Sequence, residues 1–271
     1  MRDCPPSDVA SRMEPLPVSV CLVSGAEEAR IGRCLESVAG WTRELVVVLN
    51  EEVRDRTEAI ILEHGGRVIR HPWQGFREQK NLVLTHATQP WILALDADEV
   101  VSPELKRDVL AFFEGAHERF AGARFPRLTW FLGRWIRHGD WYPDHVLRLF
   151  RGDAGRWSGS PEHTSVHVAG RVTTLSSDLL HFSNPTVNGY VHKIPYYADL
   201  YLQRQLAEGV RWNAPAVAFR AAWRFFRGYV LKRGFLDGYP GFFLAASTAY
   251  GALVRHTRLF EHQQPKEPPR R

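Results

Sequence analysis

The sequence predicts an α/β protein on a Rossmann-like, doubly wound and mostly parallel sheet, with an added region and C-terminal helices. Three observations predict it. Short apolar, β-branched runs recur between residues 17 and 113, each suited to a strand buried on both faces. Segments with apolar residues at helical spacing separate those runs. After residue 123 the text changes character, first to dense aromatics and histidines, then to a helical pattern.

The elements follow in order. Residues 18–23 form the first buried strand, and residues 27–38 a helix with Ile31, Cys34, Leu35 and Val38 on one stripe. Residues 45–49 are a second strand. Asp55, with Glu58 three residues on, resembles a capping box opening a helix that Gly65-Gly66 closes. Residues 67–70 are a short strand, 76–87 a helix and 91–95 another buried strand. Ser102-Pro103 reads as an N-cap followed by proline at the first helical position. The rhythm predicts a parallel sheet that binds ligands at the carboxyl ends of its strands. Those ends are residues 24–28, 50–52, 71–74 and 96–99.

The 271 residues divide by character. Residues 1–16 read as a loose tail without an apolar stretch, and 17–122 as the ligand-binding domain. Residues 123–192 form an acceptor or catalytic region, 193–261 a helical part and 262–271 a disordered tail. Hydrophobic content of 44% suits a real core, and the net charge of +5 favours anionic partners only weakly. Nucleic-acid binding would rest on charge alone and is not expected. Cys4, Cys21 and Cys34 form no CxxC pair; Cys21 and Cys34 are expected to be buried thiols in a reducing compartment.

Five stretches carry possible chemistry. Asp96-Ala97-Asp98-Glu99 closes an apolar strand, and two aspartates one residue apart can face one divalent cation and its diphosphate. Gln79-Lys80-Asn81 offers a cation and an amide for phosphates. Ser24-Gly25-Ala26-Glu27-Glu28 ends the first strand, with no Gly-x-Gly-x-x-Gly and no Walker motif. Glu162-His163 offers a general base, and His163 with His167 lacks the pattern of a zinc site. Residues 238–254 are uncharged, too short for a membrane span, and flanked by basic and aromatic residues, which suits either an interfacial helix or a helix packed on the core.

Together the motifs resemble family 2 glycosyltransferases of the GT-A fold, more narrowly the bacterial lipopolysaccharide core glucosyltransferases. The likeness runs from Cys34-Leu35-Glu36-Ser37-Val38 through His71-Pro72-Trp73, Gln79-Lys80-Asn81 and Asp96-Ala97-Asp98-Glu99. It continues in Leu132-Gly133-Arg134-Trp135, Trp141-Tyr142-Pro143-Asp144, Arg148-Leu149-Phe150-Arg151 and Gly234-Phe235-Leu236-Asp237-Gly238. The resemblance implies a nucleotide-sugar donor such as a UDP-sugar, Mg2+ or Mn2+, and inversion at the anomeric carbon. It implies that Asp96 and Asp98 bind the metal, with Asp96 also facing the donor ribose. Ser24, Glu27, Asn50, Lys80 and Asn81 would line the nucleotide pocket. Where the family carries Asp-Ser-Gly-Ser-Thr, this chain has Asn50-Glu51-Glu52-Val53-Arg54. Where many members carry His-Glu, it has Glu162-His163-Thr164, and Glu162 becomes the candidate base.

The sequence thus points to transfer of glucose or another hexose from a nucleotide diphosphate to a lipopolysaccharide-core or other glycolipid acceptor. Asp98 and Lys80 would carry the diphosphate half of the chemistry, and Trp135, Trp141 and Tyr142 would offer faces to the acceptor. The basic, aromatic C-terminal helices would hold the enzyme at the inner face of the cytoplasmic membrane. A polyprenyl-phosphate sugar transferase, a sugar nucleotidyltransferase and a non-catalytic membrane-surface binding protein are the competing readings.

Overall fold

The computed structural model describes residues 14–159, 164–183 and 186–264. Its first half alternates as expected: β1 (Leu16–Ser24), α1 (Ile31–Val38), β2 (Thr42–Asn50), α2 (Thr57–Glu63), β3 (Arg67–His71), α3 (Phe76–His86) and β4 (Trp91–Asp96). Then come β5 (Glu99–Val101), α4 (Pro103–Phe113), β6 (Gly122–Phe131), β7 (Arg134–Ile136), β8 (Asp144–Arg151), β9 (Gly155–Ser158), β10 (Ser165–Val168), β11 (Val172–Thr174) and β12 (Leu179–His181). Helices α5 (Val187–Val191), α6 (Lys193–Ala207), α7 (Ala214–Phe226) and α8 (Gly238–Gln263) complete the chain.

The main sheet runs β3-β2-β1-β4-β8-β6-β12-β5. Strands β3, β2, β1 and β4 are mutually parallel, and β8 then enters antiparallel between β4 and β6. Strands β6, β7, β8, β11 and β12 extend this sheet, while β9 and β10 pair as a separate two-stranded sheet. The chain leaves β1 toward β2 on one side, while β4 lies on the other. That reversal opens a crevice at the carboxyl ends of β1 and β4, where Val23 is in register with Asp96.

Both faces of the sheet are covered. One face packs Val20, Leu22, Val47 and Leu93 against Ile31, Leu35, Ile61 and Leu105 of the helices. The other packs Cys21, Val46, Val48 and Ile92 against Val83 of α3 and Trp157 of β9. This double burial explains why β1, β2 and β4 are continuous apolar runs without alternation. Cys21 and Cys34 are buried thiols, as their surroundings suggested.

Helix starts differ in instructive ways. Ser102 caps α4 as expected, its Oγ accepting the Leu105 N–H at 3.0 Å. Asp55 accepts the Thr57 N–H at 3.0 Å, but Glu58 turns away to pair with Arg70, so only half of the capping box forms. The helix expected from residue 27 begins at Ile31. The Glu27 carbonyl accepts from both Arg30 and Ile31, a tight turn that leaves the Glu27 side chain beside the crevice.

The C-terminal helices are tied to the sheet by the buried Asp237. Its Oδ2 accepts the N–H groups of Arg137 and His138 at 3.0 and 2.8 Å. Gly241 lets α8 pass this junction, since a Cβ there would sit 1.9 Å from the Gly234 carbonyl oxygen. Among the described residues no helix is long and apolar enough to cross a membrane.

Candidate active site

A cleft of about 630 Å³ opens at the carboxyl ends of β1, β2 and β4. Ser24 and Glu27 border it from the end of β1, Asn50 from β2, and Asp96 and Asp98 from β4 and the turn after it. Trp73 and Phe76 add an exposed aromatic corner, with ring centroids 4.8 Å apart and planes nearly perpendicular. Lys80 reaches in from α3, Arg30 from the turn before α1, His181 from the end of β12, and Lys193 from the start of α6.

The carboxylates are sharply differentiated. Both oxygens of Asp96 are held by cations: Lys80 Nζ lies 2.6 Å from Oδ1 and an Arg148 nitrogen 2.6 Å from Oδ2. Against the opposing effect of burial, Arg148 and then Lys80 hold the Asp96 carboxyl well below the usual carboxylate range. Arg148 also reaches the fully buried Glu99 at 2.7 Å, and Arg127 meets Glu99 at 3.2 Å. Glu99 in turn accepts the Asp96 N–H at 3.1 Å. This network spans β4, β5, β6 and β8 and fixes the turn that carries Asp98.

Asp98 is placed differently. Its nearest cation, Arg30, is 3.7 Å away, and Arg30 is shared with Glu27 at 2.5 Å. Burial, then repulsion from Asp96 and Glu99, pushes the Asp98 carboxyl up to about 6. His181 Nε2 stands 3.6 Å from Asp98 Oδ2, while its Nδ1 is 3.1 Å from the Thr129 hydroxyl. Burial, then Arg127, pushes the imidazole down to about 3, so it is neutral and the approach to Asp98 is no ion pair.

A divalent cation fits this pair. Asp98 is a carboxylate short of positive charge, and His181 is a neutral imidazole oriented by Thr129 through its far nitrogen. Among the described residues no group of three or more His, Cys, Asp or Glu side chains is arranged to hold an ion. Two protein ligands suit Mg2+ or Mn2+ that shares its remaining positions with phosphate oxygens and water. Asp96, expected to share one cation with Asp98, lines the same cleft but is here paired with Lys80 and Arg148. The side chain that stands beside Asp98 is His181, 83 residues downstream in the chain.

Asn81 is likewise corrected. Its amide oxygen accepts the Trp157 N–H at 3.0 Å and its amide nitrogen donates to the Trp157 carbonyl at 2.9 Å. It pins β9 onto α3 and does not border the cleft. Trp157 then supplies the ring over which Lys80 lies, 4.5 Å from the centroid. Glu162 and His163 lie outside the described residues. Trp141 packs between Phe131 and Tyr190, and the Tyr142 hydroxyl donates to Asp178 at 3.0 Å. Trp135 lies between Trp130 and Phe182.

Residues 19–168, more than half of the chain, match the family model of glycosyl transferase family 2. The chain belongs to this family. It is therefore an enzyme, a glycosyltransferase. An uncharacterized glycosyltransferase of Rickettsia typhi is 25% identical over 90% of this chain and 87% of its own length. The lipopolysaccharide core biosynthesis glycosyltransferase LpsC of Rhizobium meliloti is 27% identical over 94% of this chain and 96% of its own. Among solved structures, S. aureus TarS in complex with UDP-GlcNAc aligns at 14% identity and a TM-score of 0.45, covering 87% of this chain and 81% of that one.

Proposed function

We propose that this glycosyltransferase moves a hexose, with inversion, from a UDP-sugar to a lipopolysaccharide-core or related glycolipid acceptor. The observation that carries the reading is the convergence of Asp98, His181, Lys80, Arg30 and the Trp73 corner on one crevice at the reversal point of the sheet. A nucleotide diphosphate needs a flat surface, hydrogen-bonding groups for base and ribose, and positive charge for two phosphates. Trp73 can supply the first, Ser24, Glu27 and Asn50 the second, and Lys80 and Arg30 the third. The name of the relative LpsC supports a lipopolysaccharide-core acceptor.

In the proposed reaction Asp98 and His181 would hold Mg2+ or Mn2+, which would offset charge on the departing diphosphate. Lys80 serves the same end from the opposite wall, steadied by Asp96. Arg148 and Glu99 hold Asp96 and the backbone of the turn, so the charges need not reorganise as the bond breaks. Glu162 acts as general base, taking the proton of the acceptor hydroxyl as that oxygen attacks the anomeric carbon. The UDP leaves from the opposite face with the bonding electron pair.

The exposed aromatics of α7 and α8, among them Phe219, Trp223 and Tyr239, support contact with the inner surface of the cytoplasmic membrane. Co-sedimentation with phosphatidylglycerol vesicles tests that part, and loss of binding in neutral vesicles is expected.

The reaction is tested by incubating purified protein with UDP-glucose, Mn2+ and a core-oligosaccharide acceptor, and assigning the new linkage by NMR. A β-glucosidic product from the α-configured donor is expected. A retained anomer, or no turnover with any UDP-hexose, would overturn the reading. Glu162→Gln should abolish transfer while donor binding persists.

A further inference from the structure

The donor cleft continues into a second cavity. This cavity, of about 470 Å³, lies between α6 and α8 and shares Ser183 and Lys193 with the donor cleft as a common wall. A third cleft of about 380 Å³ adjoins it through Tyr201, Arg204 and Arg255, and opens between α7 and α8. Linked through these shared residues, the three cavities adjoin one another as a groove from the donor cleft to α7 and α8.

The groove is one-signed. Lys193, Arg204, Arg224 and Arg255 border its second and third sections, and no Asp or Glu lines either of them among the described residues. The nearest carboxylate to Arg204 is Glu208, at 3.9 Å. Arg224 and Arg255 enter no ion pair among the described residues. The Arg204 and Arg255 guanidiniums both lie on the Tyr201 ring, 5.6 and 5.7 Å from its centroid. Burial, then Arg224, pushes the Arg255 guanidinium below its ordinary value. Arg204 and Arg227 have carboxylate partners in Glu208 and Asp140, while Arg224 and Arg255 add like charge beside them, a crowding that a bound anion relieves.

We propose that this groove is the acceptor site, and that the acceptor is a saccharide bearing at least one phosphate or carboxylate group. Its ring lies along Tyr201, its anionic group between Arg204, Arg224 and Arg255, and its reacting hydroxyl at the Ser183–Lys193 wall facing the donor. A flat phenol ring with two planar cations beside it suits a sugar that is apolar on one face and charged at its edge. The inference rests on the transferase reading above and names the acceptor class which that reading leaves open.

The test offers a core oligosaccharide intact, after dephosphorylation, and after carboxyl reduction, to the wild type and to Arg224→Gln, Arg255→Gln and Arg255→Lys. Removing the relevant anion should raise the acceptor KM about tenfold, and so should each glutamine variant, the loss of one charge-assisted hydrogen bond. Arg255→Lys should recover part of the loss, and donor KM and UDP-sugar hydrolysis should stay within about twofold. Arg224 is half-buried, so Arg224→Gln carries the test if Arg255→Gln does not fold. If the wild type neither binds nor hydrolyses any UDP-sugar, the transferase reading fails. If it does, and acceptor KM is the same for all three oligosaccharides and all variants, the groove assignment fails by itself.

Discussion

Asp98→Asn is expected to make the protein more stable and, at the same time, nearly inactive. Asp98 is only 19% exposed and sits beside Asp96 and Glu99, so its carboxyl is pushed from 3.8 up to about 6. The sign follows from proton counting. Between about 3.8 and 6 the folded form holds more protons than the unfolded chain, so stability falls as pH rises through that window and stays lower above it. A shift of roughly two units at about 1.4 kcal/mol each puts the cost of ionised Asp98 at about 3 kcal/mol near neutral pH. Asparagine has nearly the same shape and no charge. The substitution should therefore gain about 1–3 kcal/mol near pH 7.5, shrinking to about a third of that near pH 4.5. Urea unfolding at the two pH values measures the gain. A variant that is less stable at neutral pH, or equally stabilised at both, would refute the electrostatic picture of this site. Turnover should fall by about 10²–10³-fold, since the proposed role of the removed charge is to hold the cation.

Other perturbations separate structural from chemical roles. Arg148→Met should cost about 3–5 kcal/mol in urea unfolding, because Asp96 and the buried Glu99 lose their common cation; adding Glu99→Gln should recover part of it, and a cost under about 1 kcal/mol would contradict the network. Asn81→Ala should cost about 2 kcal/mol through its two bonds to Trp157 while leaving the Kd for UDP nearly unchanged, and a tenfold weaker Kd would return Asn81 to the nucleotide pocket. Lys80→Met should lower kcat by about 10²-fold with a smaller effect on donor KM, and unaltered kcat would remove Lys80 from leaving-group stabilisation. Gly241→Ala should cost at least about 2 kcal/mol by thermal melting, since its Cβ would meet the Gly234 carbonyl at 1.9 Å; a melt like that of the wild type would show that α8 can shift.

Strands β1, β2 and β4 and the crevice at their ends were legible because both faces of those strands are buried. That turns β1, β2 and β4 into apolar runs whose last residues, Ser24, Asn50 and Asp96, border the cleft. Ser24, Glu27, Asn50, Lys80, Asp96 and Asp98 all meet there as their positions after the strands, or on α3, suggested. The role of Asp96 was not legible, because it depends on Arg148 in β8, a strand that inserts antiparallel beside β4 from 52 residues away. His181 and Lys193 reach the site only through the pairing of β12 with β6 and the helix that follows, and neither carries a local signal. Trp73 lies in a segment flagged for its position after β3, though aromatic chemistry was sought among Trp135, Trp141 and Tyr142. Those residues lie where aromatics are dense enough to pack on one another, as Trp141 does on Phe131 and Tyr190. Asn81 was misplaced for a similar reason: an amide next to Lys80 on a helix points a different way and met a backbone first.

The most direct measurement is calorimetric titration of the purified protein with UDP, in Mn2+ and then in EDTA, for the wild type and Asp98→Asn. Tight binding is expected only for the wild type in Mn2+, with at least about a tenfold weaker Kd in EDTA and in the variant under both conditions. Absence of UDP binding, or binding that ignores both the cation and Asp98, would contradict the placement of the donor and its metal in this cleft.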